Sequence, residues 1–212
     1  MKNSFTVFVS PQSTFERVRE KSGSSWIAPL VIVIVLSLIT IYFQMPTLEK
    51  EMIKTFDAQG IDPSMQEMVI ATSKVTSYVF AVIMPAMMVF LGGLLLMLVN
   101  LFIRGEAKYM QLVNVSAYSS LPSAIGGLLT GLLMWTSNVQ SVTEVSLSLG
   151  ALVADKSSAL FKMASILNPF SIWGLVLMII GMTVMSKRPR KLVAAWIVVG
   201  WLLISIGSSF LY

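Results

Sequence analysis

The sequence predicts an all-α, polytopic membrane protein with five transmembrane helices. Of its 212 residues, 56% are hydrophobic and only 12% are charged, whereas a soluble domain carries roughly 25% charged residues. Five long apolar segments contain no charged side chain at all. Segments of this kind cross lipid as helices, because an open sheet leaves backbone groups without partners there. A soluble globular protein and a disordered chain are therefore both excluded.

The five segments follow one another within a single membrane domain, residues 1–212. The predicted spans are residues 26–43, 78–103, 121–135, 171–185 and 192–211. A span needs about 20 apolar residues, so the third is short unless residues 115–120 join it. Asn168 and Pro169 are suited to be the N-cap and first-turn residues of the fourth. Residues 1–10 lack a long apolar run, so we expect no cleavable signal peptide.

The basic residues predict the orientation. Ten of the 15 Lys and Arg residues lie in the N-terminal arm and in the second and fourth connections. The first and third connections hold the other five, together with seven of the ten acidic residues. Because cytoplasmic loops carry the excess of Lys and Arg, we expect a cytoplasmic N-terminus. An odd number of spans then places Tyr212 outside.

The cytoplasmic arm, residues 1–25, contains the sequence Ser13-Thr14-Phe15-Glu16, which is typical of a capping box at a helix start. We expect a short interfacial helix on the cytoplasmic lipid surface, with Phe15 and Val18 on its apolar face. The alternative is a polar leader with a single helical turn.

The first connection extends the helical pattern beyond the lipid. Gly60 is a predicted helix end, and Asp62-Pro63 a predicted helix start. We expect spans one and two to continue outward as an antiparallel helical hairpin, its first helix covering residues 26–58. Its apolar stripe packs within the hairpin, which we favour, or docks a partner. The stripe consists of Met45, Leu48, Met52, Ile53 and Phe56.

The third connection, residues 136–167, is less regular. Val145, Leu147 and Leu149 alternate with serines, which indicates a short strand or extended stretch. Residues 156–166 have a helical pattern. This segment is expected to fold back onto the outer membrane surface.

The composition argues against an enzyme. Histidine and cysteine are absent, which removes the usual neutral-pH acid–base, the thiolate nucleophile and most metal ligands. No charge lies inside a span, so a proton relay is not indicated. We expect no catalytic residues, no metal and no cofactor. Nucleic acid is not an expected partner either, since the basic residues flank the membrane.

Small residues within the spans predict close helix packing. They pack the bundle itself, which we favour, or support self-association or binding of another membrane protein. Pro85 and Pro122 could each kink a helix. Asn100 is the only strongly polar side chain in a predicted span, and we expect a satisfied interfacial amide. The predicted packing glycines are Gly92, Gly93, Gly127, Gly131, Gly174, Gly181, Gly200 and Gly207.

Four basic residues surround Pro189 in the turn before span five. They are Lys187, Arg188, Arg190 and Lys191. The simpler interpretation is anchoring on the cytoplasmic side. The more specific interpretation is that these residues bind anionic lipid headgroups, to which each basic residue near the surface contributes about 1 kcal/mol of binding free energy.

Several stretches together resemble the Ypt-interacting protein (Yip) domain family. They are Pro11 to Phe15, Gly105 to Pro122, the Asn-Pro-Phe-Ser-Ile-Trp segment that leads to Gly181, and the basic turn into span five. The resemblance implies five helices and a cytoplasmic N-terminus. It also implies structural roles for Pro11, Phe15, Gly105, Tyr109, Tyr118, Pro122 and Trp173. Gly105 would end span two, and Tyr118 with Pro122 would set the entry angle of span three.

Eukaryotic members of this family act in membrane trafficking, engage small prenylated GTPases and carry an Asp-Leu-Tyr-Gly-Pro signature. This chain lacks the signature, so a small GTPase is not an expected partner. The absence fits the prokaryotic branch and hence a prokaryotic inner membrane.

We therefore expect a non-enzymatic protein that organises membrane or partner proteins through helix packing, with membrane lipid, a second copy or another membrane protein as partner. The alternative is a channel or carrier for a small solute, which the uncharged, glycine-rich spans permit. Lipid handling by the outer connections is a third possibility.

Overall fold

The computed structural model describes residues 2–20, 23–137, 139–155 and 158–211, and every described element is helical. The described elements include two short 3-10 helices, Val142–Glu144 and Leu149–Leu152. The α-helices are α1 (Lys2–Val9), α2 (Pro11–Glu20), α3 (Ile27–Ala58), α4 (Pro63–Phe102), α5 (Tyr109–Ser119), α6 (Leu121–Ser137), α7 (Ala159–Ile166), α8 (Pro169–Ser186) and α9 (Arg190–Leu211). The all-α prediction is confirmed for this part of the chain.

Within the described residues, four helical segments are long and apolar enough to cross a membrane. They are α3, α4, the pair α5–α6 that runs through Ser120, and α8. The segment that contains the predicted third span thus begins at Tyr109, well before Leu121, and is long enough to cross a membrane. Large apolar side chains are exposed along these helices, for example Leu94 and Leu98 on α4. Such a surface suits lipid rather than water.

The helix ends follow their sequence signals. The Asp62 carboxylate accepts a hydrogen bond from the Ser64 backbone N–H at 2.9 Å. The Asn168 side chain accepts one from the Phe170 N–H, also at 2.9 Å. Both residues are N-caps followed by proline, as predicted. Gly60 adopts φ +67° just after α3, a conformation that glycine tolerates without strain.

The N-terminal arm differs from the prediction. Helix α2 begins at Pro11, so Ser13 lies inside the helix and the predicted capping box does not form there. Phe15 and Val18 are fully buried within the protein, so the prediction that they rest on the lipid surface is wrong. The spacing of apolar residues in an amphipathic helix is the same whether its apolar face lies on lipid or on protein. Here α8 packs against α2 and covers that face. Lys21 lies outside the described residues.

The third connection contains no strand among its described residues. Of the two predicted alternatives, a strand or an extended stretch, the strand does not form, because serine hydroxyls compete for backbone N–H groups. Ser141 accepts from the N–H of Thr143, and Ser148 from that of Gly150, which produces 3-10 turns. Val145 between them is extended. The helix predicted over residues 156–166 is present as α7 from Ala159, while Lys156 lies outside the described residues.

Helix α5 is the centre of the bundle. Every residue from Leu112 to Ser119 is buried, and α5 packs against α4, α8, α2 and α3. Helix α6 packs mainly against α3 and α8. Helix α9 packs mainly against α8, which leaves α9 at the edge of the bundle.

Candidate functional site

Five of the predicted packing glycines are used inside the bundle. A β-carbon added at Gly93 would lie 3.1 Å from the Val113 backbone, and one at Gly131 would lie 3.1 Å from the Thr40 carbonyl oxygen. At Gly174 it would lie 2.7 Å from the Ser119 carbonyl oxygen. These helices approach backbone to backbone, which only glycine allows at such distances. The other two such positions are Gly92, against Ser116, and Gly181, against Phe15 and Val115.

The other three predicted packing glycines are not tightly packed. At Gly127 an added β-carbon would meet its nearest neighbour, Thr40, only at 3.9 Å. At Gly200 and Gly207 on α9 it would meet no described atom within 4 Å. The two glycines of α9, seven residues apart, therefore lie on a helix face that the described residues leave unfilled.

Phe15 and Tyr118 connect the arm to the bundle. Their rings meet edge to face, with centroids 6.0 Å apart and an interplanar angle of 79°. Within the arm, the Arg17 Nη2 donates to the hydroxyls of Thr6 on α1 and Thr14 on α2 at 3.0 Å each. Arg19 donates to the Val184 carbonyl oxygen of α8 at 3.0 Å. Sequence reasoning missed these two arginine contacts, and no local spacing signals them.

The other positions to which the family resemblance assigns structural roles differ in their contacts and exposure. Pro11 opens α2, and Pro122 is the second residue of α6, just after the break between α5 and α6 at Ser120; proline is tolerated in a first helical turn. The Tyr109 hydroxyl donates to the Phe90 carbonyl oxygen at 3.1 Å. Trp173 is 40% exposed on α8.

Asn100 organises the connection between α4 and α5. Its Nδ2 donates to the carbonyl oxygens of Gly105 and Ala107 at 3.2 and 3.1 Å, and its Oδ1 accepts from the Ala107 N–H at 3.4 Å. The predicted satisfied amide is confirmed. Its side chain also lies where a β-carbon on Gly105 would fall. Asn114, in the longer third span, is a second buried amide that the prediction missed.

The basic turn divides into two parts. Lys187 forms an ion pair with Glu106 at 2.7 Å, and Arg188 donates to the Arg104 carbonyl oxygen. The Lys187 ammonium, by hydrogen bond and charge, holds the pKa of the Glu106 carboxyl below its usual range. Arg190 and Lys191 are exposed. Of the four predicted headgroup residues, two thus also bind the neighbouring connection.

A cavity of about 650 Å³ lies between α4 on one side and α3 and α6 on the other. Apolar side chains such as Val33 and Phe80 line it, and hydroxyls from Ser37, Ser116 and Ser123 accompany them. A second cavity of about 390 Å³ lies where α4, α5, α8 and α9 meet. Trp196 and Trp201 line this second cavity.

The two cavities share the lining residues Met88, Ser116, Ser120 and Ser123. We call the combined space the α4 cleft. The second cavity adds Ser119, which is 4% exposed and whose hydroxyl has no hydrogen-bond partner among the described residues. Sequence analysis missed these serines, although their spacing (116, 119, 120, 123) places them on one helical face.

The cleft contains no charged group from the described residues. The same part of the chain holds no group of three or more acidic side chains arranged to bind a metal ion. Hydroxyl donors and apolar walls are therefore what the cleft offers to a ligand.

The sequence matches the Yip1 domain family over residues 5–211. It is also 29% identical over 197 residues to "Membrane protein YknW" of Bacillus subtilis (strain 168). The aligned region covers 91% of this chain and 81% of that protein. No solved structure matches the chain. The predicted resemblance is confirmed, and the matched relative is a prokaryotic membrane protein.

Proposed function

Because the chain belongs to the Yip1 domain family, a family of membrane proteins, we propose that it organises membrane or partner proteins through helix packing and has no enzymatic role. In this proposal α3, α4, α5–α6, α8 and α9 are five spans. The N-terminal arm lies in the cytoplasm, and α9 ends outside. The outer halves of α3 and α4 form a helical hairpin beyond the lipid.

The contacts between connecting segments support this topology. The arm reaches the end of α8 through Arg19, and the Glu106 N–H donates to the Ser186 carbonyl oxygen at 3.1 Å. The arm and the second and fourth connections thus meet at one end of the bundle. Towards the other end, the Glu51 carboxylate of α3 accepts from the Ser141 hydroxyl at 2.9 Å. Consecutive helices that each cross the membrane require this alternation.

The lengths of α3 and α4 support the outer hairpin. Helix α3 has 32 residues and α4 has 40, so at 1.5 Å per residue they run about 48 and 60 Å. A bilayer core is about 30 Å thick. Lys74 and Glu49, 2.9 Å apart in an ion pair, join the two helices beyond the apolar segments.

The open glycine surface of α9 is the observation that carries the proposed function. Gly93, Gly131 and Gly174 lie against neighbouring helices, whereas a β-carbon added at Gly200 or Gly207 would meet no described atom within 4 Å. In lipid, helices associate through small residues that let backbones approach. A transmembrane helix from another protein, or a second copy of α9, can pack on this surface.

Cysteine cross-linking tests the proposal directly, because the chain has no cysteine of its own. A Gly207→Cys variant in native membranes is expected to form a specific cross-linked species with a partner or a second copy. Leu98→Cys, on the exposed face of α4, is the matched control and is expected to give none. A protein that remains monomeric and purifies without a partner from mild detergent would contradict the proposal.

A channel or carrier for a small solute is the second candidate, favoured by the serines shared between the two cavities. The α4 cleft brings hydroxyls into the middle of the predicted lipid zone. Solute flux into liposomes that contain the purified protein is the test. Gly127→Leu is the appropriate variant, since Gly127 lines the first cavity and has room around it. Flux that this variant abolishes while the fold is retained favours a carrier, and no flux for any solute excludes it.

A further inference from the structure

We propose that the α4 cleft binds one uncharged lipid whose head carries carbonyl or hydroxyl oxygens, such as a diacylglycerol or an isoprenoid quinone. The site consists of both cavities, the first between α4, α3 and α6 and the second where α4, α5, α8 and α9 meet, with Met88 on the α4 side. Gly200 of α9 also lines the second cavity, so a lipid there and a helix packed on α9 would compete for that glycine. Lipid binding to the purified full chain nevertheless requires no helix partner.

The lining excludes a charged ligand. Its walls are apolar, and none of the described side chains that line it is charged. Moving an ionised phosphate into such a site without a cation to pair it costs many kcal/mol. A phospholipid headgroup is thus rejected, whereas an uncharged head with a long apolar tail loses little hydration on entry.

The hydroxyls define what the head must offer. Ser116, Ser119, Ser120 and Ser123 follow one another along one face of α5–α6. The Ser120 hydroxyl donates to the Ala117 carbonyl oxygen at 2.9 Å and keeps its lone pairs free to accept. The Ser119 hydroxyl has no described partner although it is buried. A buried hydroxyl of this kind costs free energy unless it is satisfied. A rotation of the Ser119 side chain towards the cleft would let a carbonyl or hydroxyl oxygen of the ligand supply that partner.

The position of the cleft indicates the route of entry. It lies between helices long and apolar enough to be in lipid, beside a surface of α4 where Met87, Met88 and Leu91 are exposed. The ligand therefore comes from the bilayer. Methionine side chains are flexible enough to adapt to a lipid tail. The two volumes, about 650 and 390 Å³, are those of sites that take small organic ligands, roughly 300–1,000 Å³.

Native mass spectrometry of the purified full chain, with defined lipids added, tests the proposal. The probes are dioleoylglycerol, an isoprenoid quinone, phosphatidylglycerol and phosphatidylethanolamine. We expect one molecule of dioleoylglycerol or quinone to remain bound at concentrations where neither phospholipid does. Comparing dioleoylglycerol with the quinone shows which of these two uncharged lipids supplies the oxygen atoms that bind in the cleft.

Two variants localise the binding. Ser119→Ala with Ser123→Ala removes two hydroxyls and is expected to weaken binding by about threefold for each. Ser123→Leu fills the cleft at an exposed position and is expected to abolish binding. Thr183→Val is the matched control, because the Thr183 hydroxyl bonds to Ile179 within α8 and does not line the cleft.

Three results would overturn the inference. The first is phospholipid binding as tight as that of dioleoylglycerol. The second is binding that Ser123→Leu leaves unchanged in a folded protein. The third is failure of all four lipids to bind the unmodified chain. Circular dichroism of each variant separates loss of binding from loss of folding.

Discussion

The Phe15 ring of α2 lies edge-on to the Tyr118 ring of α5, with the centroids 6.0 Å apart. A β-carbon on Gly181 of α8 would lie 2.8 Å from the tip of the same Phe15 ring. The N-terminal arm is thereby part of the bundle core, and three segments distant in sequence depend on one aromatic side chain.

Replacing Phe15 should therefore destabilise the protein. Phe15→Ala leaves a cavity beside Tyr118 and should cost about 3–5 kcal/mol. Phe5→Ala is the matched control, since Phe5 is 71% exposed on α1, and it should have little effect. Thermal unfolding in detergent, followed by circular dichroism, measures both. Equal unfolding temperatures for the two variants would contradict the burial of the arm.

The glycines of α8 and α9 should respond differently to the same substitution. Gly174→Ala places a methyl group 2.7 Å from the Ser119 carbonyl oxygen, so the backbones must shift, at about 1–3 kcal/mol. Gly200→Ala meets no described atom and should leave stability unchanged or raise it by up to about 1 kcal/mol through helix propensity. Detergent unfolding curves compare them, and a reversed order would show that the packing is misassigned.

Asn100 should be hard to replace. Asn100→Leu keeps a similar volume but leaves the buried Ala107 carbonyl oxygen without the Nδ2 donor that it has at 3.1 Å. Each unsatisfied buried group costs about 1–3 kcal/mol. We expect lower stability and faster hydrogen exchange of the residue 104–108 connection. Unaltered exchange there would mean that the amide does not organise this connection.

The Glu106–Lys187 pair predicts a modest pH dependence. Lys187 lowers the pKa of Glu106 in the folded protein, so the pair contributes stability above the unfolded pKa of Glu106. That contribution is lost as the pH falls through the folded pKa. Lys187→Gln should remove this part of the acid sensitivity. Because the pair is exposed, the difference should shrink in high salt. Unfolding temperatures measured across the acid range, with and without salt, test it; identical profiles for both proteins would contradict it.

The sequence was sufficient where one local signal decides the structure. Long uncharged apolar segments predicted five spanning helices, and four segments among the described residues are long and apolar enough to cross a membrane. Asp62 and Asn168 before proline predicted two helix starts. The sequence was insufficient where the structure depends on which other surface a segment packs against. The pattern of Phe15 and Val18 is the same whether lipid or α8 covers it. Val145, Leu147 and Leu149 alternate with serines as in a strand, yet serine side chains bond the local backbone instead.

For the α4 cleft, too, the sequence predicts the local feature but not the tertiary packing around it. The spacing of Ser116, Ser120 and Ser123 could be recognised in the sequence as one polar face within a span. Whether that face meets a neighbouring helix or an open space depends on how α4 packs against α3 and α5. Only the assembled helices show this.

The central claim is that five helices place the two ends of the chain on opposite sides of the membrane, with the N-terminal arm in the cytoplasm. Fusions to alkaline phosphatase, which is active only outside the cytoplasm, test it most directly. The account predicts an active enzyme when fused after Tyr212 and an inactive one when fused after Arg188. Activity at Arg188, or none after Tyr212 from a stably expressed fusion, would contradict it.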